Sequence, residues 1–580
     1  MSRRGRSRGC QKQYNRIILA WRTSFYFLIL PPLATALGAQ TVQRGMRGGT
    51  LVIAQRSEPK TLNPLLSRDA PSREVLGRLS SDLMSVNRQT QKVEPVLAEW
   101  VHPSADGLHY TVHLRSGLRF SDGQPFNADD VVFSFQVYLD EKVHAVQRDP
   151  LLIHEKPVTV SKLDGQTVRI DLPGRYAPGE RMFDSLPMLP RHLLEAAYRE
   201  GKLNQVWGLS TKPEAMAGLG PFRVKEYRAG ERLVLERNPY YWKAPQPYLD
   251  EIVFLFVGDE DAQIARFLTG DVDLVNRVSA RNVGLLRARG VRVEDLGPSL
   301  EYNFLLFNLT KDASPGPKEW FQIKAFRQAV SAAIDRDGIV KLVYGGLASP
   351  LASPVSPGNK AWLNQKLTAG KHSAEQAKKL LSESGFTRDK AGELRDRNGK
   401  TVEFTIATGA SSQERSAMAT MIQADLQAIG MKVQIVPLES RSMVDRILNT
   451  HQYDTAVMGL GGADPDPVFE TNVWKSAGGM HVWNPEQKQP ATSWEAEIDR
   501  LMDEQASELK QEKRRELYNR VQEIVAEEMP LICLTSPHVL VAAQPRVKNL
   551  RPTIFDHYTL WNSDELFVAE AKTKERSAGR

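Results

Sequence analysis

Between residues 218 and 256 the apolar positions alternate with polar ones in three runs. Phe222, Val224 and Tyr227 lead up to a turn at Gly230, Leu233 and Leu235 lead away from it, and Asn238-Pro239 interrupts the pattern before Ile252 to Phe256. A period of two bounded by turn residues predicts a hairpin followed by one more strand. The same period recurs at Tyr110, Val112 and Leu114, after which Ser116-Gly117 and Asp122-Gly123 turn the chain twice. Asn127 then stands at a helix N-cap with Asp129 and Asp130 in the first turn, where the helix dipole favours acids.

Helical spacing takes over elsewhere. A helix is predicted from Ser72 to Met84, and a shorter one over Ala262 to Thr269 that Gly270 stops. Phe326, Ala329, Val330, Ala333 and Ile334 form one apolar stripe. Met418, Met421, Ile422, Leu426 and Ile429 form another, set between the alternating runs Val402, Phe404, Ile406 and Met431, Val433, Ile435, so a β-α-β unit is predicted there. From Asp499 to Met529 the pattern reads as one long helix, with Pro530 ending it and Leu531 to Leu534 as a returning strand. Glu301 to Asn308 is a further strand.

Composition narrows the class. The chain has 580 residues, 41% of them hydrophobic, enough for a large core and a naive expectation of roughly three or four domains. Its formal charge of +7 is matched by seven basic residues, Arg3, Arg4, Arg6, Arg8, Lys12, Arg16 and Arg22, with no acid before Ala39. The remainder is near neutral, which excludes a nucleic-acid-binding reading. Phe25 to Ala36 is apolar and small residues follow at Ala36, Gly38 and Ala39, so residues 1–39 read as a cleaved signal peptide, with an uncleaved anchor as the alternative because Arg22 interrupts the apolar residues and the basic region is long, and the mature chain reads as extracytoplasmic. Cys10 goes with that segment and is no lipidation site. Cys533, left alone on an apolar strand, reads as a small buried side chain.

Candidate chemistry is sparse. His109 and His113 lie on a strand about 13 Å apart, too far to share an ion. Asn398-Gly399-Lys400-Thr401 has the tail of a phosphate-binding loop, but Leu394 stands where its first glycine is required, so the segment reads as a hairpin turn. No His-Glu-x-x-His or Gly-x-Ser-x-Gly occurs, which disfavours a secreted hydrolase. We therefore expect no catalytic residue, no metal ligand and no cofactor.

Several motifs in fixed order carry a resemblance. They are Leu114-Arg-Ser-Gly-Leu-Arg-Phe-Ser-Asp-Gly-Gln-Pro-Phe-Asn-Ala-Asp-Asp-Val131, Gly218-Leu-Gly-Pro-Phe222, Arg237-Asn-Pro-Tyr-Tyr-Trp242 and Phe326-Arg-Gln-Ala-Val-Ser-Ala-Ala-Ile-Asp-Arg336. From Gly48 to Phe567 the chain resembles the family 5, dipeptide/oligopeptide-binding type, periplasmic substrate-binding proteins of ABC transporters. The resemblance implies an α/β fold of periplasmic-binding-protein type II, with two lobes and an additional inserted domain. Domain I would comprise residues 48–90, 208–307 and 531–567, domain II 91–207 and domain III 308–530, with a loose tail at 568–580. It also implies a monomer that takes a peptide or other small molecule between closing lobes and passes it to an inner-membrane ABC permease; an oligosaccharide, opine or metal chelate is the alternative ligand.

The same resemblance places candidate ligand contacts. Asn63 lies in the family's cleft-edge loop, although Asn63-Pro64 also reads as a plain turn. Tyr302 and Asn303 lie on the strand that crosses between lobes and is a hinge candidate. In the loop after Gly459, relatives often carry a Trp wall and an Asp that pairs with the peptide amine; here Leu460 and Ala463 stand in those places, with Gly461 between them. Asp464 could serve after a one-residue shift, or could form a turn with Asp466. His481 and Trp483 are candidates for a ligand platform, or loop aromatics packed on their own domain.

Overall fold

A computed structural model describes residues 43–310, 318–462, 464–555 and 559–569. The expected signal peptide, Cys10, Ala463 and the tail beyond 569 lie outside the described residues. The core is organised on one sheet of twelve strands. In chain order these are β1 (Thr50–Gln55), β2 (Phe222–Arg228), β3 (Arg232–Arg237), β4 (Glu251–Phe256), β5 (Leu274–Val275), β6 (Val293–Pro298), β7 (Glu301–Phe307), β8 (Ala348–Pro350), β9 (Glu403–Gly409), β10 (Lys432–Leu438), β11 (Thr455–Gly461) and β12 (Leu531–Ala543). Their spatial order is β2-β3-β4-β1-β5-β12-β7-β11-β9-β10, with β6 and β8 also paired to β12. The β2–β3 hairpin and β4 run as the alternation predicts, and β9 lies parallel to both β10 and β11.

The glycines of the Gly-x-Gly-Pro-Phe motif are there for room. Neither Gly218 nor Gly220 has positive φ. A Cβ on Gly218 would stand 2.0 Å from the Leu79 carbonyl oxygen, and one on Gly220 2.4 Å from that of Arg78. Both press on the last turn of helix α1 (Ala70–Leu79), where the Gly220 amide donates to Leu79 O at 3.0 Å. Buried Asn238 ties the neighbouring motif to the same corner by donating from Nδ2 to Gly220 O at 2.8 Å. Gly220→Ala is therefore expected to destabilise the chain by about 2 kcal/mol or more, because the obstructing atoms are backbone. A urea midpoint unchanged by the substitution would refute this.

An antiparallel four-stranded sheet of residues 98–103, 109–114, 159–162 and 167–171 forms a separate layer. Beside it, the helix Ala128–Leu139 carries the predicted Asn127 cap as a full capping box with Asp130. Its apolar cluster already includes Leu83 and Met84 and extends to Leu219, beyond the expected limits of 91 and 207.

The lobes exchange chain at different places from those the sequence suggested. Tyr302 to Phe307 and Leu531 to Leu534 belong to the core that also holds residues 320–525, whereas Val539 and Val541 pack with β1 to β4. The crossings thus fall between β6 and β7, near Ser299-Leu300, and in the middle of β12, near Ser536-Pro537, not at 307/308 and 530/531. At that waist the Ser299 amide donates to Pro537 O at 2.9 Å and Ser536 Oγ donates to Ser299 O at 3.0 Å. Motif breaks marked the expected boundaries, but one long strand serves both cores, and only its partners tell where it changes sides.

Two further expectations change. The predicted helix from 499 to 529 is two, α2 (Ser493–Ser507) and α3 (Gln511–Glu528). Arg514 reaches back to donate from Nε to Gln505 O at 3.0 Å, holding the break between them. Val568, expected in a loose tail, pairs with Val547.

Candidate functional site

The C-terminal ends of the parallel strands β1, β9 and β11 are where an open α/β sheet leaves a crevice. β11 ends at Gly461, and the loop that follows to Glu470 is built around acids. Asp466 caps a short 3-10 turn (Pro467–Glu470), accepting from the Val468 amide at 3.1 Å. Its carboxylate also accepts from both terminal nitrogens of Arg514 at 2.7 and 2.9 Å. The two side chains are 9% and 3% exposed, and the Arg514 guanidinium lies 4.8 Å from the Trp362 ring centroid. Asp466 is therefore the anchor of the loop.

Asp464 does not wait for a ligand amine. Both its oxygens accept from Arg181 Nε, at 2.7 and 2.8 Å, and Arg181 belongs to the inserted layer, where Nη2 also donates to Gln91 Oε1 at 2.9 Å. At 11% and 13% exposed, this pair is shielded from solvent and joins the two bodies across the cleft. The Ala177 amide donates to Ala506 O at 2.7 Å in the same contact. A second clasp joins the lobes: Glu301 accepts from Arg415 at 3.0 Å and from Arg277 at 3.2 Å.

Asp464 also lines a small cavity of about 20 Å³, room for one water, together with Leu300, Ser356, Asn359, Glu470 and Tyr518 among others. Glu470 Oε2 accepts from Trp474 Nε1 at 2.9 Å and from the Tyr518 hydroxyl at 3.3 Å. Burial pushes its carboxyl above the ordinary value, and those two hydrogen bonds only partly oppose the shift. Gly462 lines the same space, and a Cβ there would come within 3.3 Å of Glu470 Oε1.

The sequence-predicted residues separate into distinct groups. Tyr302 and Leu460 are register partners on one face of the sheet. Tyr302 is buried, its hydroxyl has no hydrogen-bond partner among the described residues, and burial followed by the charge of Glu470 holds its pKa well above the usual value. Asn303, one residue on, faces the other way, accepting from Arg415 Nε at 3.1 Å beside Gly459. Gly461 is exposed at the end of β11. Asn63 is buried and fully engaged, donating to Leu203 O at 2.7 Å and Val206 O at 3.2 Å and accepting from the Leu65 amide. Its role is thus to tie the loop to the inserted layer.

His481 and Trp483 form no ligand platform. Both are 0% exposed and their rings lie 3.9 Å apart in the second lobe's core. Trp483 Nε1 donates to Glu495 Oε1 at 3.1 Å, with His481 Nε2 at 3.3 Å from the same atom. That acceptor, brought in by α2, is what lets polar rings sit in an apolar core. Burial alone would raise the Glu495 carboxyl, but hydrogen bonds from His481, Gln487, Thr492 and Trp483 outweigh it and hold the pKa at about 2. A depressed carboxyl adds stability above its unfolded value of 4.5 and loses it as pH falls towards about 2. Glu495→Gln should cost on the order of 3 kcal/mol at neutral pH, and the gap to the wild type should narrow across that acid window. A gap that stayed constant in urea titrations from pH 6 to pH 2.5 would refute it.

Glu470, Arg181 and Tyr518 were missed by sequence reading. The spacing of three acids in Asp464-Pro-Asp-Pro-Val-Phe-Glu470 was the available signal for the first; nothing local announces the other two.

Comparison with known proteins places this arrangement. The chain matches the family described as bacterial extracellular solute-binding proteins, family 5 middle, over residues 92–481, more than half its length. It is 28% identical over 535 residues to a probable ABC transporter-binding protein of Deinococcus radiodurans, covering 86% of this chain and 89% of that one. It is likewise 28% identical over 538 residues to heme-binding protein A of Haemophilus influenzae, covering 88% and 91%. The solved oligopeptide-binding protein AppA of Bacillus subtilis, in complex with a nonapeptide, superposes with a TM-score of 0.73 at 25% identity, covering 91% of this chain and 100% of its own. With the family match extending from the inserted layer into the second lobe, the chain belongs to the family 5 bacterial extracellular solute-binding proteins.

Proposed function

We propose that this protein works outside the cytoplasm as a solute-binding component of an ABC importer, capturing an oligopeptide between its lobes and handing it unchanged to the permease. The observation that carries the reading is the shielded Arg181–Asp464 pair, which bridges the inserted layer and the second lobe across the cleft. Lobes linked by a narrow waist move as bodies, and a ligand touching both favours the closed state by its differential affinity. Among the described residues no helix is long and apolar enough to cross a membrane.

Peptide is preferred over the other ligands on two grounds. AppA, which shares the architecture across nearly the whole chain, is solved with a nonapeptide. A sugar or a porphyrin calls for flat rings facing the ligand, and the rings of His481, Trp483 and Trp474 are all turned into the core. A pool of oligopeptides offered to the purified protein should raise its melting temperature, by about 2.7 kcal/mol of added stability at a hundredfold excess over Kd, and be recovered intact by mass spectrometry. No shift with peptides alongside a clear shift with oligosaccharides or heme would overturn the ligand assignment; cleaved peptide would overturn the non-catalytic one.

A further inference from the structure

We propose that the exposed face of the helix Ala280–Ala288, with the turn that follows it, docks on anionic phospholipid headgroups and so holds the first lobe at the outer surface of the cytoplasmic membrane. The inference goes beyond the solute-binding reading and does not depend on the ligand. From Leu274 to Val293 the chain carries five arginines, Arg277, Arg281, Arg287, Arg289 and Arg292, and no acid. The charge of the whole molecule does not account for the run, since the excess of +7 is matched by the seven basic residues before Ala39. Asp273, the acid just ahead of the run, is buried and committed to Arg546.

The fold turns this run outward. Asn282, Val283 and Leu286 are buried, and the last two pack with Ala54 of β1 and with Leu540 and Ala542 of β12. Arg281, Leu285 and Arg289, spaced by four, therefore fall on one exposed stripe, and Arg287 and Arg292 are exposed as well. Arg281 meets Asp261 at 3.2 Å in a surface pair and Arg277 reaches Glu301, but among the described residues Arg287, Arg289 and Arg292 form no ion pair. The helix dipole favours cations at the C-terminal end, which accounts for Arg287 and Arg289; it disfavours Arg281 at the start and does not reach Arg292. Leu285 is 46% exposed between Arg281 and Arg289, so an apolar spot is flanked by guanidinium groups, a composition suited to the boundary between headgroups and acyl chains. Guanidinium forks match phosphate oxygens bidentately. A free phosphate would need an enclosing pocket, and both the cavity at Asp464 and a larger apolar one around Leu62, Leu76, Trp207 and Phe222 are lined by other residues. A plane of headgroups needs no pocket, only a projecting basic row.

The test sediments the chain from residue 40 onward with vesicles, because the leading segment would bind them through its own basic and apolar residues, and the described fold begins only at residue 43. The vesicles are equal parts phosphatidylglycerol and phosphatidylcholine, or phosphatidylcholine alone, and no peptide is present. Wild type should bind the anionic vesicles at about 0.05 M salt, ignore the neutral ones, and come off at about 0.5 M. Each arginine removed should weaken binding about fivefold, so Arg287→Gln, Arg289→Gln and Arg292→Gln together should weaken it on the order of a hundredfold while leaving Tm unchanged. Arg281 is kept, since it also contacts Asp261 and Gln413. A control with the same net charge replaces Lys371, Arg388 and Lys390, exposed on the second lobe, by Gln, and should bind within about twofold of wild type. Leu285→Ser should weaken binding severalfold. No binding to the anionic vesicles, equal binding to the neutral ones, or a triple variant that binds like wild type overturns the proposal. So does a control that loses as much as the triple variant, which would reduce the attraction to net charge. Wild type that ignores vesicles but is retained by immobilised polyglutamate, with the triple variant not retained, overturns the bilayer and assigns the row to an acidic protein.

Discussion

Arg514→Ala is expected to lower the stability of the folded protein by about 3–5 kcal/mol, the largest effect of any single truncation considered for this chain. Its guanidinium does three things at once: it neutralises buried Asp466, holds Gln505 O at the end of α2, and lies over Trp362. Removing it leaves a carboxylate 9% exposed with no countercharge. The position of the 462–470 loop depends on that carboxylate, so ligand affinity should fall together with stability. The converse change is instructive: replacing Arg514 and Asp466 together by apolar residues of similar size should cost much less than the two single losses added, because it removes the buried charges as a pair. Urea unfolding of the three variants checks both statements, and additive losses would show that the pair is not coupled.

Arg181→Ala should open the molecule. The Arg181–Asp464 pair bridges bodies also joined by the chain crossings, the Glu301 clasp, the Ala177–Ala506 backbone contact and weaker side-chain bonds such as Ser507 Oγ to His154 Nε2 at 3.4 Å and Arg281 to Gln413 at 3.3 Å. Truncating one member of a shielded, hydrogen-bonded charge pair costs about 2 kcal/mol or more, some thirtyfold in the closing equilibrium. The ligand-free variant should show a larger radius of gyration by small-angle scattering. Asp464→Asn should move it in the same direction, with little added by the double change, since both remove one interaction. Scattering curves that superpose on the wild type would remove this pair from the closing mechanism. Added salt should have little effect on the wild type, because the pair is largely out of solvent.

Much of the scaffold was legible from residues alone, and for a common reason. The β2–β3 hairpin, the Asn127 capping box, the stop of a helix at Gly270 and the β-α-β unit around residues 402–435 depend on interactions within a few residues. Period, cap and turn chemistry record such interactions directly. The candidate site was far less legible. Asp464 was singled out as a ligand contact or a turn former, but its partner lies 283 residues away in another layer. Trp483 and His481 looked like loop aromatics because their polar neighbours in sequence suggested solvent, while the acceptor that buries them arrives on a helix further along.

The sequence by itself determined the class of this protein: ordered strands and helices, the turn glycines, the motif order that marks a two-lobed binding fold, and a basic, then apolar, leading segment. Only the tertiary structure decided that Gly218 and Gly220 are needed for contact with α1, that the helix of residues 493–528 breaks at 508–510 around Arg514, that the crossings fall at 299–300 and 536–537, and that Asp464 pairs with Arg181 of the inserted layer. The division is one of range. Local chemistry is written in neighbouring residues, whereas the partner of a buried charge and the core a strand joins are set by segments that meet only once the chain has folded.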